Sequence, residues 1–148
     1  MLPGTVLHTD KTGRSRSVGI LTIDDEAFFR AAARAVVRAT RGFEPLAEAQ
    51  SGEEGIILAG RLQPDMVLLD VLMPGMDGME TSRRLLEASP DLVVVLVSAF
   101  DDPTFVEAAS SCGAATFLRK QDLRPATLRD LWDQYGRVPR SHGESWTT

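Results

Sequence analysis

The feature that most limits how this chain can fold is a strict alternation of short apolar runs with longer amphipathic stretches. The runs Val18–Ile23, Phe43–Ala49, Asp65–Leu69, Leu92–Val97 and Ala115–Leu118 each read as a strand. Helical patterns follow them in turn, over Glu26–Thr40, Ser51–Leu62, Met79–Ala88, Pro103–Cys112 and Pro125–Tyr135. A run as continuously apolar as Leu92–Val97 belongs in a sheet covered on both faces, and strand–helix alternation makes that sheet parallel. Right-handed crossovers leave few topologies. A closed eightfold barrel needs about 250 residues, and this chain has 148. The expectation is therefore one α/β domain built on an open, doubly wound parallel sheet.

Local signals agree. Ser51 and Glu54 have the spacing of a capping box. Pro103 suits a first helical turn with Asp102 as its cap. Pro45 marks the second strand as a sheet edge. On the first helix, Phe29, Ala33, Val36 and Val37 form an apolar stripe, and Arg30, Arg34 and Arg38 recur every four residues on another. That arginine stripe reads as a solvated face, or as a docking face for a partner. Leu128, Leu131, Trp132 and Tyr135 give the last helix its apolar side. Residues 1–17 read as a disordered leader and residues 136–148 as a polar tail, which places the domain at 18–135. His8 and His142 fall in those tails. Met66, Met73, Met76 and Met79 read as packing residues rather than a cofactor box.

Composition excludes several classes. The net charge is −5 with no basic block, which argues against direct nucleic-acid binding. The one cysteine, Cys112, rules out an internal disulfide, reads as a buried inert thiol and suits the cytoplasm. No signal peptide or membrane-spanning run is visible. Of the two lysines, Lys11 lies in the leader, so the folded body holds only Lys120 among many arginines. A compact point charge is not interchangeable with a planar guanidinium.

In an open parallel sheet, ligands bind beyond the carboxyl ends of the strands. The first strand ends in Asp24 and Asp25, the third in Asp70, the fourth in Ser98, and the fifth near Lys120. Taken singly, each of these is most simply a cap or a turn residue. Taken together they put three carboxylates, one hydroxyl and the only body lysine on one edge. Clustered carboxylates repel unless a cation intervenes. Mg²⁺ takes one or two carboxylates and leaves positions for water and phosphate. Phosphoryl transfer needs mainly positioning and charge neutralisation, and a carboxylate can serve as its nucleophile.

The pieces Ile23-Asp24-Asp25-Glu26, Asp70-Val71-Leu72-Met73-Pro74-Gly75-Met76-Asp77-Gly78, Ser98-Ala99 and Gly113 to Lys120 resemble the receiver domain of two-component response regulators. The resemblance covers residues 18–135. It implies a flavodoxin-like fold with strand order 2-1-3-4-5. It also implies Asp70 as phosphoacceptor, with Mg²⁺ held by Asp25, Asp70 and the Leu72 carbonyl and Asp24 holding a metal-bound water. Lys120 would pair with Asp70 and then with the phosphoryl group, Ser98 would swing toward it, and Phe117 would be the aromatic switch. The donor would be a sensor histidine kinase or a histidine phosphotransfer protein. The chain would act as a signalling switch rather than an enzyme, and would pass the signal to a protein target. A homodimer stays open.

Three departures matter. Gln121 stands where many receivers have proline, so the turn after Lys120 is free to differ. Leu72 and Phe100 occupy positions that tune dephosphorylation in the family. Being apolar they cannot orient water, which implies slow hydrolysis; the blander reading has them packed under the rim. No effector domain follows the last helix, so the chain is read as a stand-alone receiver, with the receiver part of a DNA-binding regulator as the alternative. A pseudo-receiver is disfavoured by the intact Asp25, Asp70, Ser98 and Lys120. A phosphohydrolase would need an acid where Leu72 stands. A flavin carrier would not place Asp24-Asp25-Glu26 at its phosphate loop.

Overall fold

Residues 16–137 and 139 are described by a computed structural model. Five strands alternate with five α-helices: β1 Val18–Ile23, α1 Ala27–Ala39, β2 Phe43–Ala49, α2 Gly52–Leu62, β3 Met66–Asp70, α3 Gly78–Ala88, β4 Val93–Ser98, α4 Thr104–Ser111, β5 Thr116–Arg119 and α5 Pro125–Tyr135. All strand pairings are parallel and the sheet order is β2-β1-β3-β4-β5, as the sequence leads one to expect. Most of the leader and tail, with His8 and His142, lie outside the described residues.

The period of two along each strand sends alternate side chains to opposite faces. Val18, Ile20, Met66, Leu68, Val93, Val95 and Val97 meet Phe29, Ala33 and Val37 of α1 and Leu128, Leu131 and Trp132 of α5. Leu21, Ile23, Val67, Leu69, Val94 and Leu96 meet Ala59 of α2, Leu85 of α3 and Ala109 of α4. Both faces are thus sealed, and only the strand ends remain open to chemistry.

Several element ends differ by one residue from the sequence expectation, for local reasons. Ser51 is the cap of α2 rather than its first residue: its hydroxyl accepts from Glu54 N at 3.1 Å, while Glu54 Oε1 accepts from Gln50 N at 2.8 Å. Asp77 caps α3 by accepting from Glu80 N at 2.9 Å, which starts that helix at Gly78. Asp65 precedes β3 because its carboxylate accepts from Gly19 N at 2.6 Å. Asp102 accepts from Thr104 N at 2.9 Å and so serves the first turn of α4, but the helix starts at Thr104 with Pro103 in the flanking position, one residue later than expected. Pro45 coincides with a register shift in the β1–β2 pairing, at the edge strand that can tolerate a missing donor. Cys112 is buried, with its Sγ 3.5 Å from Ala109 O. Among the described residues, no helix is long and apolar enough to cross a membrane.

Candidate phosphoacceptor site

Register brings the polar strand ends together. Ile23 pairs with Leu69, so Asp24 follows on β1 as Asp70 follows on β3. Asp70 pairs with Val97, which sets Ser98 one step beyond it on the next strand. Ser98 pairs with Arg119, which sets Lys120 one step further again. Neighbours in a sheet lie about 4.8 Å apart, so this staircase is itself the reason for the cluster.

Carboxylate oxygens of Asp24, Asp25 and Asp70 all lie within 4.8 Å of one another. Asp24 and Asp70 are buried and Asp25 is exposed. Lys120 Nζ stands 2.7 Å from Asp24 Oδ2, 3.4 Å from Glu26 Oε1 and 3.8 Å from Asp70 Oδ2. It also lies 4.6 Å from the centroid of the Phe29 ring, a cation–π contact from the core side. Asp24 Oδ2 is fully buried and receives no directed hydrogen bond; its contact with Lys120 is an ion pair of poor angle. Its other oxygen accepts from Glu26 N at 2.8 Å.

Burial pushes the Asp70 carboxyl up, and the negative charge of Asp24 adds to it. Lys120 and the Leu72 N–H oppose this without reversing it, and the result is a pKa of about 7. For Lys120, burial favours the neutral amine. The contact with Asp24 and the charges of Asp70 and Glu26 outweigh it, and its pKa is raised. The site thus holds more negative charge than its one ammonium balances. Three oxygen donors at this spacing, one with a buried and poorly served oxygen, fit a small hard cation.

Ser98 is buried at the rim, and its hydroxyl accepts from Phe100 N at 3.1 Å. Leu72 N donates to Asp70 Oδ1 at 3.3 Å. Phe117 is half-buried on β5 with its ring 5.4 Å from Phe105 of α4. Arg119 reaches Asp101 at 3.6 Å and Asp122 at 2.9 Å, which ties the loop carrying Phe100 to the turn carrying Lys120. That turn, Lys120–Asp122, is a single 3-10 turn with Gln121 at its centre.

Residues 20–131 match the sequence profile of the response regulator receiver domain. The chain belongs to the response regulator receiver family. Response regulator GacA of Pseudomonas aeruginosa is 34% identical over 103 residues, covering 70% of this chain and 48% of that protein. The nitrate/nitrite response regulator protein NarL of Escherichia coli K12 is 38% identical over 109 residues, covering 74% of this chain and 50% of that protein. The chain spans about half the length of the curated relatives it matches. A chain of the CheX-CheY-BeF3-Mg²⁺ complex from Borrelia burgdorferi superposes with a TM-score of 0.70 at 26% identity, covering 86% of this chain and 94% of that one.

Within this receiver, two readings of the sequence do not hold. Leu72 and Phe100 do not pack under the rim; they are 54% and 65% exposed. The arginine stripe is not uniformly solvated either. Arg30 donates to the Asp24 carbonyl, and Arg34 grips Glu48 of β2 at 2.6 Å, while Arg38 is exposed. Sequence reasoning also left Glu26, Phe29 and Glu48 without a role at the site. Glu26 was visible as the third acid in a row. Glu48 carried a weaker signal, the second of two glutamates on the edge strand, near its carboxyl end.

Proposed function

We propose that this receiver takes a phosphoryl group on Asp70 from a phosphohistidine donor and thereby changes which partner it binds. The observation that carries the reading is the placement of Lys120 Nζ among Asp24, Glu26 and Asp70, beside three carboxylates of cation-binding spacing. Asp24, Asp25, Asp70 and the Leu72 carbonyl are the residues to hold Mg²⁺. When bound, Mg²⁺ neutralises the phosphoryl oxygens and the carboxylates that face them. Asp70 attacks phosphorus through a carboxylate oxygen; the O–P bond forms as the donor's N–P bond breaks, and the imidazole leaves. Lys120 moves its charge from the carboxylates onto a phosphoryl oxygen. Ser98 gives up its bond from Phe100 N and donates its hydroxyl proton to another. The β4–α4 loop follows Ser98, and Phe117 repacks against Phe105. A dianion that recruits donors in this way biases a loop with two arrangements.

The donor is a histidine kinase or a histidine phosphotransfer protein. Phe28, Leu72, Phe100 and Val106 support this: all are exposed apolar residues on segments leaving the carboxyl edge, around the acidic mouth. Such a rim suits a helical partner that must exclude water during transfer. The reaction belongs in the cytoplasm, where such donors are made. A second reading, the receiver part of a DNA-binding regulator, is favoured by the half-length match to its relatives. The length of the native gene decides between the two.

The test is incubation of the full chain with Mg²⁺ and a small phosphodonor, followed by intact mass. One phosphoryl group is gained, and the gain disappears in Asp70→Asn. An unchanged mass for the unaltered protein refutes the reading.

A further inference from the structure

The arginine stripe of α1 is the charged feature the phosphoacceptor reading does not absorb. Arg30 is 18% exposed in its side chain. Its Nη1 donates to the Asp24 carbonyl oxygen at 2.6 Å, and its Nε lies 3.9 Å from Glu48 Oε1. Glu48 is gripped in turn by Arg34, Nε to Oε2 at 2.6 Å and Nη2 to Oε1 at 3.2 Å. Two arginines of one helix and one glutamate of the edge strand form a clasp, and its inner arm ends on the main chain of the acidic loop.

What that arm controls follows from peptide geometry. The Asp24 carbonyl and the Asp25 N–H belong to one rigid plane. A donor on that carbonyl fixes the plane, and with it the direction in which the Asp25 side chain leaves the backbone. Asp24 is fixed elsewhere as well, with its N–H donating to Ala49 O at 3.0 Å and its carboxylate held by Glu26 N and Lys120. Asp25 makes no hydrogen bond or ion pair with any described residue. Nothing but the backbone aims its carboxylate at the cluster. A guanidinium suits the task, because its planar fork can serve a carbonyl and a carboxylate at once and never loses its charge.

We propose that Arg30 is a positioning residue for the cation site, orienting Asp25 through the Asp24–Asp25 peptide, with Glu48 holding the guanidinium in place. This rests on the phosphoacceptor reading above. It assigns Arg34 a different standing: Arg34 touches Glu48 but not the acidic loop, so its loss leaves the aim of Asp25 intact.

The experiment measures Mg²⁺ binding by isothermal titration calorimetry on the full chain, for the unaltered protein, Arg30→Met, Arg30→Lys and Arg34→Met. Thermal unfolding of each variant runs alongside. Groups that orient metal ligands change metal affinity by about tenfold or more when removed. Arg30→Met is expected to weaken Mg²⁺ by about tenfold. Arg30→Lys, which keeps a donor for the carbonyl, is expected to fall between Arg30→Met and the unaltered protein. Arg34→Met is expected to stay within about twofold, since it leaves the orienting bond in place. Unchanged Mg²⁺ affinity in Arg30→Met overturns the proposal, as does an equal loss in Arg34→Met. Should Arg30→Met not fold, Arg30→Lys binding no more weakly than the unaltered protein overturns it as well. Absence of Mg²⁺ binding in the unaltered protein takes down the phosphoacceptor reading too, and so is distinguishable from failure of this one.

Discussion

Asp70→Asn should stabilise this receiver in the absence of Mg²⁺, increasingly as pH rises from the unfolded to the folded value of the Asp70 carboxyl. The Asp70 carboxyl sits at about 7 instead of its ordinary 3.8, because it is buried beside Asp24 and Lys120 does not fully compensate. At about 1.4 kcal/mol per pKa unit, full ionisation of this group disfavours the folded state by up to about 4 kcal/mol. The sign follows from proton counting. Between the unfolded and folded values the native state binds more protons than the unfolded chain, so stability falls as pH rises. The contribution is fully present below the unfolded value and lost as pH passes through about 7. Asparagine keeps the shape and the acceptor for Leu72 N but carries no charge. At about pH 8 the variant should be about 2–4 kcal/mol more stable, on the order of 10 °C in Tm. At about pH 5 the gap should shrink to about 1.5 kcal/mol, because the native carboxyl is protonated while the unfolded one is already ionised, and it should close only below the unfolded value of 3.8.

The assay is urea or thermal unfolding of both proteins across that pH range, with and without Mg²⁺. Saturating Mg²⁺ should raise the unaltered protein far more than the variant, since a ligand stabilises only the state that binds it. Two results refute the reasoning: a variant less stable than its parent at about pH 8 without metal, or a difference between the two that does not shrink on acidification.

Three further outcomes follow from the same geometry. Mg²⁺ binding should release about half a proton near pH 7 and almost none near pH 9, read from calorimetry in buffers of different ionisation enthalpy; pH-independent release contradicts the raised Asp70 value. Leu72→Asn should shorten the life of the phosphorylated protein, because Leu72 is 54% exposed at the mouth and offers no group to orient water; decay followed by intact mass that is equally fast in the parent removes that role. Gly78→Ala should destabilise by about 1–3 kcal/mol and slow labelling of Asp70, since a Cβ there would overlap the Asp70 carbonyl oxygen and come within 2.9 Å of Val71 Cα; an unchanged urea midpoint refutes it.

How much of this was legible in the sequence depends on the range of the interaction. Strands and helices were legible because burial on one or two faces writes a period into the residues, and the open, doubly wound sheet followed from connection rules that need no side-chain detail, whereas its strand order came from the family resemblance. Asp24, Asp70, Ser98 and Lys120 were legible for the same reason: each ends a strand, and register alone makes neighbours of strand ends. The exposure of Leu72 and Phe100 was not, because an apolar residue in a loop carries no periodic signal to say which way it faces. The inward turn of Arg30 was hidden by its own spacing. A four-residue repeat of arginine is what a solvated helix face shows, and only the position of β2 beside α1 supplies the Glu48 that turns two of the three inward.

The two kinds of cation at this site divide its labour along the chemistry of their head groups. Arg30 and Arg34 sit where nothing has to move: a main-chain carbonyl and a carboxylate on an edge strand, met by planar forks in fixed geometry. Lys120 sits where something must. Its ammonium lies nearest Asp24, donates a long hydrogen bond to Glu26 at 3.4 Å, is within reach of Asp70 and rests on the Phe29 ring, so that its charge is shared among several partners. A compact charge on a flexible stem can exchange one oxygen for another with little reorganisation, whereas a guanidinium forked onto Asp24 would have to break two bonds to follow an incoming phosphoryl group. A body that uses arginine almost everywhere and keeps a single lysine for this place is consistent with that demand. The substitution Lys120→Arg, conservative in charge, should therefore preserve the fold while impairing the step in which the cation changes partners.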